Sequence, residues 1–221
     1  MTEPLAADPT LDELRAALIP DVAANAAFDG WGRAAVNAAA AVRAIDPDLA
    51  RIAVGADAPT QIDAWFAHID AEMARRLPPE TLAAMKIRQR ITTLVETRLD
   101  ILLPEREALR RALAVLALPT NLPLAARLGW RAADAMWRLA GDTATDFNHY
   151  TKRLTLSGVY STTIAVFLDD DSEGQTDTRA FLGRRIDQVM QFEKFKAGWR
   201  ARSERRPSLS RFVGRLRYPP A

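Results

Sequence analysis

The chain has 221 residues, of which 48% are hydrophobic and 26% are charged, and its formal net charge is +2. A chain of this length and apolar content can bury a sizeable core, so disorder throughout the chain is excluded. The sequence has no cysteine and only two histidines, which excludes disulfides, thiol nucleophiles and thiolate metal sites and leaves too few ligands for most histidine metal sites.

The first residues and the length of the apolar runs bear on location. Acidic residues at Glu3, Asp8 and Asp12 make the start of the chain unlike a secretory signal. No apolar run reaches about 18 residues, the length at which a helix spans a membrane. We therefore expect a protein of the cytoplasm.

Apolar residues recur at helical spacing along the chain, and no segment alternates convincingly as a half-buried strand does. The sequence therefore predicts an all-α fold. Glycine, proline and capping residues set the expected ends of the helices. The predicted helices cover residues 11–28 (with Pro20 as a kink or a fresh start), 32–45, 48–53, 62–77, 81–103, 105–118, 124–140, 145–168 and 177–202.

The helix predicted over residues 145–168 carries apolar residues on more than one face, which indicates a helix enclosed by its neighbours. One stripe consists of Phe147, Tyr150, Leu154 and Ala165. The other consists of Leu156, Val159, Tyr160, Thr163 and Phe167. The start of the helix combines charged, imidazole and phenol side chains, which are types suited to recognition.

The order of the predicted helices matches a tetracycline-repressor-like regulator, in which residues 49–54 would form the recognition helix of a helix-turn-helix. However, residues 44–72 contain six acidic residues and a single strong base, Arg51, for a net charge of −5. Neutralisation of phosphates supplies much of the affinity for DNA, so we expect a degenerate helix-turn-helix that binds no nucleic acid. A basic partner surface, or no partner, is expected there. A ligand-responsive repressor is the alternative function.

The C-terminal part of the chain is strongly basic. Residues 184–217 contain 11 lysines and arginines but only three acidic residues. After Pro207 the sequence predicts a short basic amphipathic helix, the type that binds at a membrane surface. The alternatives are a disordered basic end or a helix that packs on its own domain. The predicted membrane-binding residues are Leu209, Arg211, Phe212, Val213, Arg215 and Leu216.

Catalysis would require a nucleophile with its base, paired carboxylates in a cleft, or metal ligands at suitable spacing. The sequence shows none of these patterns, and it has no glycine-rich phosphate loop. We therefore expect a protein that is not an enzyme and has no catalytic residue, cofactor or metal.

Three motifs carry a resemblance to a known family: GDTATDFNHYTKR at residues 141–153, VYSTT at 159–163 and FLGRRI at 181–186. The chain resembles the COQ9 family of ubiquinone biosynthesis accessory proteins, and it is similar to them at residues 28–31 and 134–137 too. The resemblance implies a tetracycline-repressor-like helical fold, homodimerisation, binding of isoprenoid quinone intermediates, and docking on the inner face of a membrane. It also implies presentation of the substrate to the di-iron hydroxylase that acts on demethoxyubiquinone.

Carried over to this chain, the resemblance implies a hydroxylase contact patch at Asp146, Asn148, His149 and Tyr150, where the family usually has tryptophan at the position of His149. An isoprenoid tail is expected in a slot between helices lined by Leu94, Leu99, Leu154 and Val166. The expected regions are a degenerate helix-turn-helix-like region (1–78), a helical lipid-binding and dimerisation domain (79–203) and a basic amphipathic membrane-binding tail (204–221).

Overall fold

The structure is a computed structural model, and it describes residues 8–145 and 147–204. The described residues form helices and no strand, which confirms the predicted all-α class. The α-helices are α1 (Leu11–Asp29), α2 (Arg33–Val42), α3 (Pro47–Val54), α4 (Ala58–Arg76), α5 (Pro79–Ala83), α6 (Ile87–Leu102), α7 (Arg106–Leu116), α8 (Leu122–Leu139), α9 (Phe147–Asp169) and α10 (Thr176–Glu204). Short 3-10 turns lie at Leu103–Glu105, Pro119–Asn121 and Glu173–Gln175.

Helix α1 begins with a capping box and continues through Pro20. The Thr10 hydroxyl accepts a hydrogen bond from the Glu13 N–H (3.3 Å), and the Glu13 carboxylate accepts one from the Thr10 N–H (2.8 Å). One α-helix covers the whole of Leu11–Asp29, so the fresh start considered at Pro20 is not found. Because α1 packs against α2, α3, α4 and α7, it connects the N-terminal helices to the rest of the fold.

The prediction of a single helix over residues 81–103 is wrong, because residues 84–86 separate α5 from α6. Arg90 donates from Nη2 to the carbonyl of Ala83 (3.1 Å) and from Nε to the carbonyl of Met85 (2.9 Å). In a continuous helix these carbonyls would accept from backbone N–H groups. A side chain therefore satisfies them at the break, and hydrophobic periodicity does not reveal such capping.

The core of the fold lies where α4 packs against α6 and α8, and where α9 packs against α8 and α6. Fully buried apolar residues in these helices include Ile69, Met73, Leu94, Leu99 and Phe167. Two arginines, Arg98 of α6 and Arg153 of α9, are also buried. Their partners define the sites described below.

The chain forms two compact units, Met1–Leu182 and Gly183–Ala221. The first unit contains α1–α9 and the start of α10, and the second contains the remainder of α10. The functional boundaries predicted after residues 78 and 203 stay predictions. The predicted patch residue Asp146 and the predicted tail residues Leu209, Arg211, Phe212, Val213, Arg215 and Leu216 lie outside the described residues.

Among the described helices, no single one is long and apolar enough to cross a membrane. By length and composition alone, one pair bent by 96° meets the requirement, Ile87–Leu116 with Pro119–Leu139. Residues of this pair such as Leu94, Leu109 and Leu128 are buried in the fold.

Candidate functional site

The N-terminal half of α9 presents an exposed apolar stripe. Phe147 is 76% exposed, Tyr150 is 60% exposed and Leu154 is 69% exposed. The prediction that neighbours enclose this helix on all sides is therefore wrong for this stripe. The opposite stripe of α9 is buried, as predicted, at Leu156, Val159, Tyr160, Thr163 and Phe167.

Three aromatic side chains form a cluster beside this stripe. The ring of His149 lies 5.2 Å from that of Tyr150, edge to face, and Trp130 of α8 lies 6.5 Å and 6.1 Å from the two rings. Aromatic rings at these separations stabilise one another. Asn148 is exposed next to the cluster. The structure thus brings Trp130 next to two of the predicted patch residues.

A buried ion-pair network lies beneath the aromatic cluster and centres on Arg153. Its Nε donates to Asp134 of α8 (2.5 Å), while Nη1 donates to Asp142 (3.1 Å) and to the carbonyl of His149 (3.1 Å). Lys152 also donates to Asp142 (2.7 Å). Arg153 therefore ties α8, the loop before α9 and the first turn of α9 together.

Further hydrogen bonds fix the same turn. The indole N–H of Trp137 donates to the carbonyl of Lys152 (3.0 Å), and the Lys152 ammonium lies 5.3 Å from the centre of the Trp137 ring. Nδ1 of His149 lies 2.9 Å from the carbonyl of Ala144, and since a carbonyl only accepts, Nδ1 carries the proton in this contact. The His149 ring is thus held by the loop that precedes α9.

The charge of Asp142 is stabilised by its surroundings. Burial opposes ionisation, but hydrogen bonds from Lys152 and Arg153 outweigh it and lower the pKa of Asp142. The side chain of Asp142 is 6% exposed and that of Arg153 is 2% exposed. Because solvent is largely excluded, these ion pairs are much less screened than pairs at the surface.

A second buried arginine, Arg98, lies between α4, α6 and α9. It donates from Nη1 to Asp70 of α4 and from Nε to the hydroxyl of Tyr160 (3.1 Å). Burial opposes the charge of Arg98, but the interactions with Tyr160 and Asp70 outweigh it and raise its pKa. Arg98 was not among the predicted site residues. The sequence does contain a signal, because Arg98 interrupts the apolar spacing of α6, whose other members on that face are Ile91, Leu94, Val95 and Leu102.

The four residues predicted to line a lipid slot lie in different environments. Leu94 and Leu99 are fully buried on α6, Val166 is half-buried, and Leu154 belongs to the exposed stripe. A cavity of about 350 Å³ lies elsewhere, between α1, α3, α4 and α8, and none of the four lines it. The lipid slot therefore stays a prediction.

The region of residues 44–72 is less acidic than its sequence suggests. Asp63 pairs with Arg127 (2.6 Å) and Arg131 (2.5 Å) of α8, and Asp70 pairs with Arg98 and Arg131. Partners outside residues 44–72 therefore neutralise acidic residues that contributed to the net charge of −5. The count made along the sequence overstated the negative charge of this surface.

The outer face of α3 differs from a surface that contacts phosphates. Arg51 pairs with Asp48 on the same helix and donates to Asn37 of α2 (3.2 Å). Leu49 is 39% exposed and Ile52 is 65% exposed on this helix. The one strong base in residues 44–72 is thus already paired, and the exposed face of α3 also carries the apolar side chains of Leu49 and Ile52.

Among the described residues, no group of three or more acidic or histidine side chains is placed to hold a metal ion. His68 and His149 lie on different helices, α4 and α9.

Comparison with known proteins finds a family match in the region that contains the aromatic cluster. A family model described as COQ9 matches residues 122–193. A COQ9 domain therefore spans residues 122–193. The resemblance read from the sequence is confirmed, and the COQ9 domain contains α8, α9, the exposed stripe and the Arg153 network.

Relatives of the chain carry the same family name. The chain is 40% identical over 131 residues to the "Ubiquinone biosynthesis protein COQ9, mitochondrial" of Rattus norvegicus. This alignment covers 59% of this chain and 42% of the rat protein. It is 45% identical over 96 residues to the human protein of that name, and this alignment covers 43% of this chain and 30% of the human protein. The chain thus spans less than half the length of these COQ9 relatives.

A solved structure confirms the predicted tetracycline-repressor-like fold. A TetR transcriptional regulator from Nitrosomonas europaea aligns with a TM-score of 0.66 and covers 81% of this chain and 99% of its own. The two sequences are 23% identical, so the comparison establishes the fold alone. The COQ9 domain is therefore part of a tetracycline-repressor-like helical fold.

Proposed function

We propose that this chain is a non-catalytic lipid-binding accessory protein of ubiquinone biosynthesis. It binds isoprenoid quinone intermediates at a membrane and presents them to the demethoxyubiquinone hydroxylase. The observation that carries the proposal is that the COQ9 domain coincides with an exposed aromatic and apolar surface fixed from below by buried ion pairs.

The proposed hydroxylase contact is the surface formed by Phe147, Asn148, His149, Tyr150 and Leu154, which we call the α9 surface. Exposed apolar and aromatic side chains in one patch are typical of protein interaction sites. Tyrosine is enriched among residues that contribute most to binding, because its ring buries a large area and its hydroxyl makes a hydrogen bond. Arg153 keeps the α9 surface in one conformation, which lowers the entropy lost on binding.

The proposed lipid ligand enters the helical domain, where Leu94 and Leu99 of α6 belong to the apolar core. An isoprenoid tail is stabilised in such surroundings in proportion to the apolar area it buries. The proposed membrane contact is the basic tail, residues 204–221. In this proposal the protein is a homodimer, and it is bound peripherally at the inner face of a membrane.

Binding to the purified hydroxylase tests the proposal, and Tyr150→Lys is the decisive variant. We expect it to weaken binding about thirtyfold, because a central aromatic contact contributes about 2 kcal/mol or more. Isothermal titration calorimetry measures the dissociation constant. Val42→Lys is the matched control, since Val42 of α2 is also exposed (77%) and lies outside the COQ9 domain.

Equal binding by the wild type and Tyr150→Lys would refute the α9 surface as the contact. Mass spectrometry of lipids that co-purify with the full chain tests the other half of the proposal. We expect an isoprenoid quinone or its precursor, and a preparation free of any isoprenoid would contradict lipid presentation.

A further inference from the structure

The cavity of about 350 Å³ between α1, α3, α4 and α8 has no part in the proposed function. Its volume is within the range of pockets that hold small molecules, roughly 300–1,000 Å³. The cavity is open to solvent, because Ile52 and Ala67 line it and both are exposed. A ligand can therefore enter it without disturbing the buried core.

Hydrocarbon groups form one side of the cavity. They belong to Ile52, Ala53 and Val54 at the end of α3 and to Ala64 and Ala67 of α4. An apolar group that packs on them is stabilised in proportion to the apolar area it buries. Since an alanine side chain is a single methyl group, the two alanines of α4 leave room for a ligand that a longer side chain would fill.

Two guanidiniums, those of Arg15 of α1 and Arg131 of α8, also line the cavity. A guanidinium has five N–H donors. Within residues 8–145 and 147–204, Arg15 makes two hydrogen bonds and Arg131 makes three, which leaves three and two donors for a ligand. The side chain of Arg15 is 43% exposed, so its donors are accessible from the cavity mouth.

The strong acceptors of the cavity wall are already in use. One carboxylate lines the cavity, that of Asp63, and both of its oxygens accept from α8: Oδ1 from Arg131 (2.5 Å) and Oδ2 from Arg127 (2.6 Å). The carbonyl of Ala53 accepts from Nε of Arg15 (2.7 Å). The wall thus has donors to spare, and it favours a ligand that supplies acceptors.

The charge of the wall favours the same kind of ligand. The lining residues include two arginines and one aspartate, for a sum of +1. Asp12, which pairs with Arg15, has a side chain that is 86% exposed, and exposed pairs are weak. Asp70, which pairs with Arg131, also pairs with a second arginine. The positive charge at the cavity is therefore incompletely balanced.

We propose that this cavity binds a small organic acid, whose carboxylate is held by Arg15 and whose apolar body packs on α3 and α4. Arg131 adds positive charge from the opposite helix. A guanidinium matches a carboxylate well, because it offers two parallel N–H donors to the two oxygens. This site goes beyond the proposed function, since it lies apart from the α9 surface and from the residues predicted to contact a lipid.

Two probes with the same ring system test the inference with the full chain: 2-naphthoate and the neutral alcohol 2-naphthalenemethanol. Isothermal titration calorimetry measures both dissociation constants. We expect the wild type to prefer the acid. Arg15→Met should weaken 2-naphthoate binding about tenfold, because hydrogen bonds between charged groups are lost. Binding of the alcohol should change by less than about threefold.

The chain offers a matched control and two further variants. Arg111→Met removes an arginine of α7 that has the same exposure (42%) and is also ion-paired, but lies outside the cavity. It should leave both dissociation constants unchanged. Arg15→Lys keeps the cation and should keep the preference for the acid. Ala67→Leu fills the cavity from an exposed helical position and should weaken both probes about tenfold.

Each outcome decides the inference. If the wild type binds neither probe, or binds both equally, the cavity is not a site for organic acids. The inference is also overturned if Arg15→Met keeps the preference for the acid, or if Ala67→Leu binds 2-naphthoate as the wild type does. Loss of the preference in Arg15→Met, its retention in Arg15→Lys and loss of both probes in Ala67→Leu would support the inference.

Discussion

The two buried arginines of this fold differ in how completely their charges are neutralised. Arg153 meets two carboxylates, Asp134 and Asp142, and also donates to a backbone carbonyl. Among the described residues, Arg98 pairs with one carboxylate, Asp70, which also pairs with Arg131, and Nη2 has no acceptor. Two side chains of the same type, equally withdrawn from water, therefore have different electrostatic surroundings.

This difference predicts that the two arginines contribute unequally to stability. A buried guanidinium with complete partners fixes the elements that supply them, and here these are α8, the loop before α9 and the α9 surface. The guanidinium of Arg98 makes fewer hydrogen bonds, so it has fewer partners to lose when it is replaced. Breaking a buried ion pair is costly because a charge is left without compensation, so the completeness of pairing predicts the cost of each substitution.

The largest effect is expected for Arg153→Met. Three hydrogen bonds of a buried charge would be lost, although Asp142 keeps Lys152 and Asp134 keeps Arg138. We expect the free energy of unfolding to fall by about 3–5 kcal/mol. Urea denaturation followed by circular dichroism measures it. Arg138→Met is the control, because Arg138 pairs with Asp134 (2.8 Å) from a side chain that is 74% exposed, and exposed pairs contribute about 0–1 kcal/mol. Similar losses in the two variants would contradict the supporting role of Arg153.

A smaller loss is expected for Arg98→Met. Asp70 keeps Arg131 as a partner, and Nη2 has no hydrogen bond to lose. We expect the free energy of unfolding to fall by about 2 kcal/mol, mainly through the lost contacts with Asp70 and Tyr160. The same denaturation measurement checks it. If Arg98→Met lost more stability than Arg153→Met, the completeness of pairing would not predict the cost of each substitution.

Tyr160→Phe measures the contribution of the hydrogen bond that Arg98 donates to Tyr160. The substitution removes the acceptor of Nε and keeps the ring under the guanidinium. We expect a loss of about 1 kcal/mol, the usual contribution of one hydrogen bond. Thermal unfolding of Tyr160→Phe beside the wild type measures it, and unchanged stability would mean that the Nε–Tyr160 bond contributes nothing.

The smallest effect is a dependence on pH that belongs to the Arg153 network. The pKa of Asp142 is lower in the folded protein than the ordinary value of an aspartate, because the hydrogen bonds from Lys152 and Arg153 outweigh the effect of burial. Its contribution to stability is therefore complete above the unfolded pKa and is lost as the pH falls through the folded one. The stability difference between the wild type and Asp142→Asn should be constant at neutral pH and should shrink below about pH 4. A constant difference down to pH 2 would contradict the pairing of Asp142.

The sequence predicted the family resemblance of the candidate site, but it did not predict the contacts that form the site. The motif at residues 141–153 identified the COQ9 resemblance, and it includes His149 and Tyr150, whose contact with a hydroxylase stays a prediction. It did not reveal that Trp130 lies beside them, because that contact depends on the packing of α8 against α9. Hydrophobic periodicity did not predict the break between α5 and α6, because the side chain of Arg90 satisfies the carbonyls there.

The sequence by itself determined the helical class, the tetracycline-repressor-like order of helices and the COQ9 resemblance, because periodicity, breakers and local motifs are properties of neighbouring residues. Only the tertiary structure decided which charges are neutralised. Asp63 and Asp70 seemed to make the N-terminal region acidic until arginines from α6 and α8 were found beside them. Electrostatic pairing acts between residues that are distant in the chain, so a count along the sequence cannot supply it.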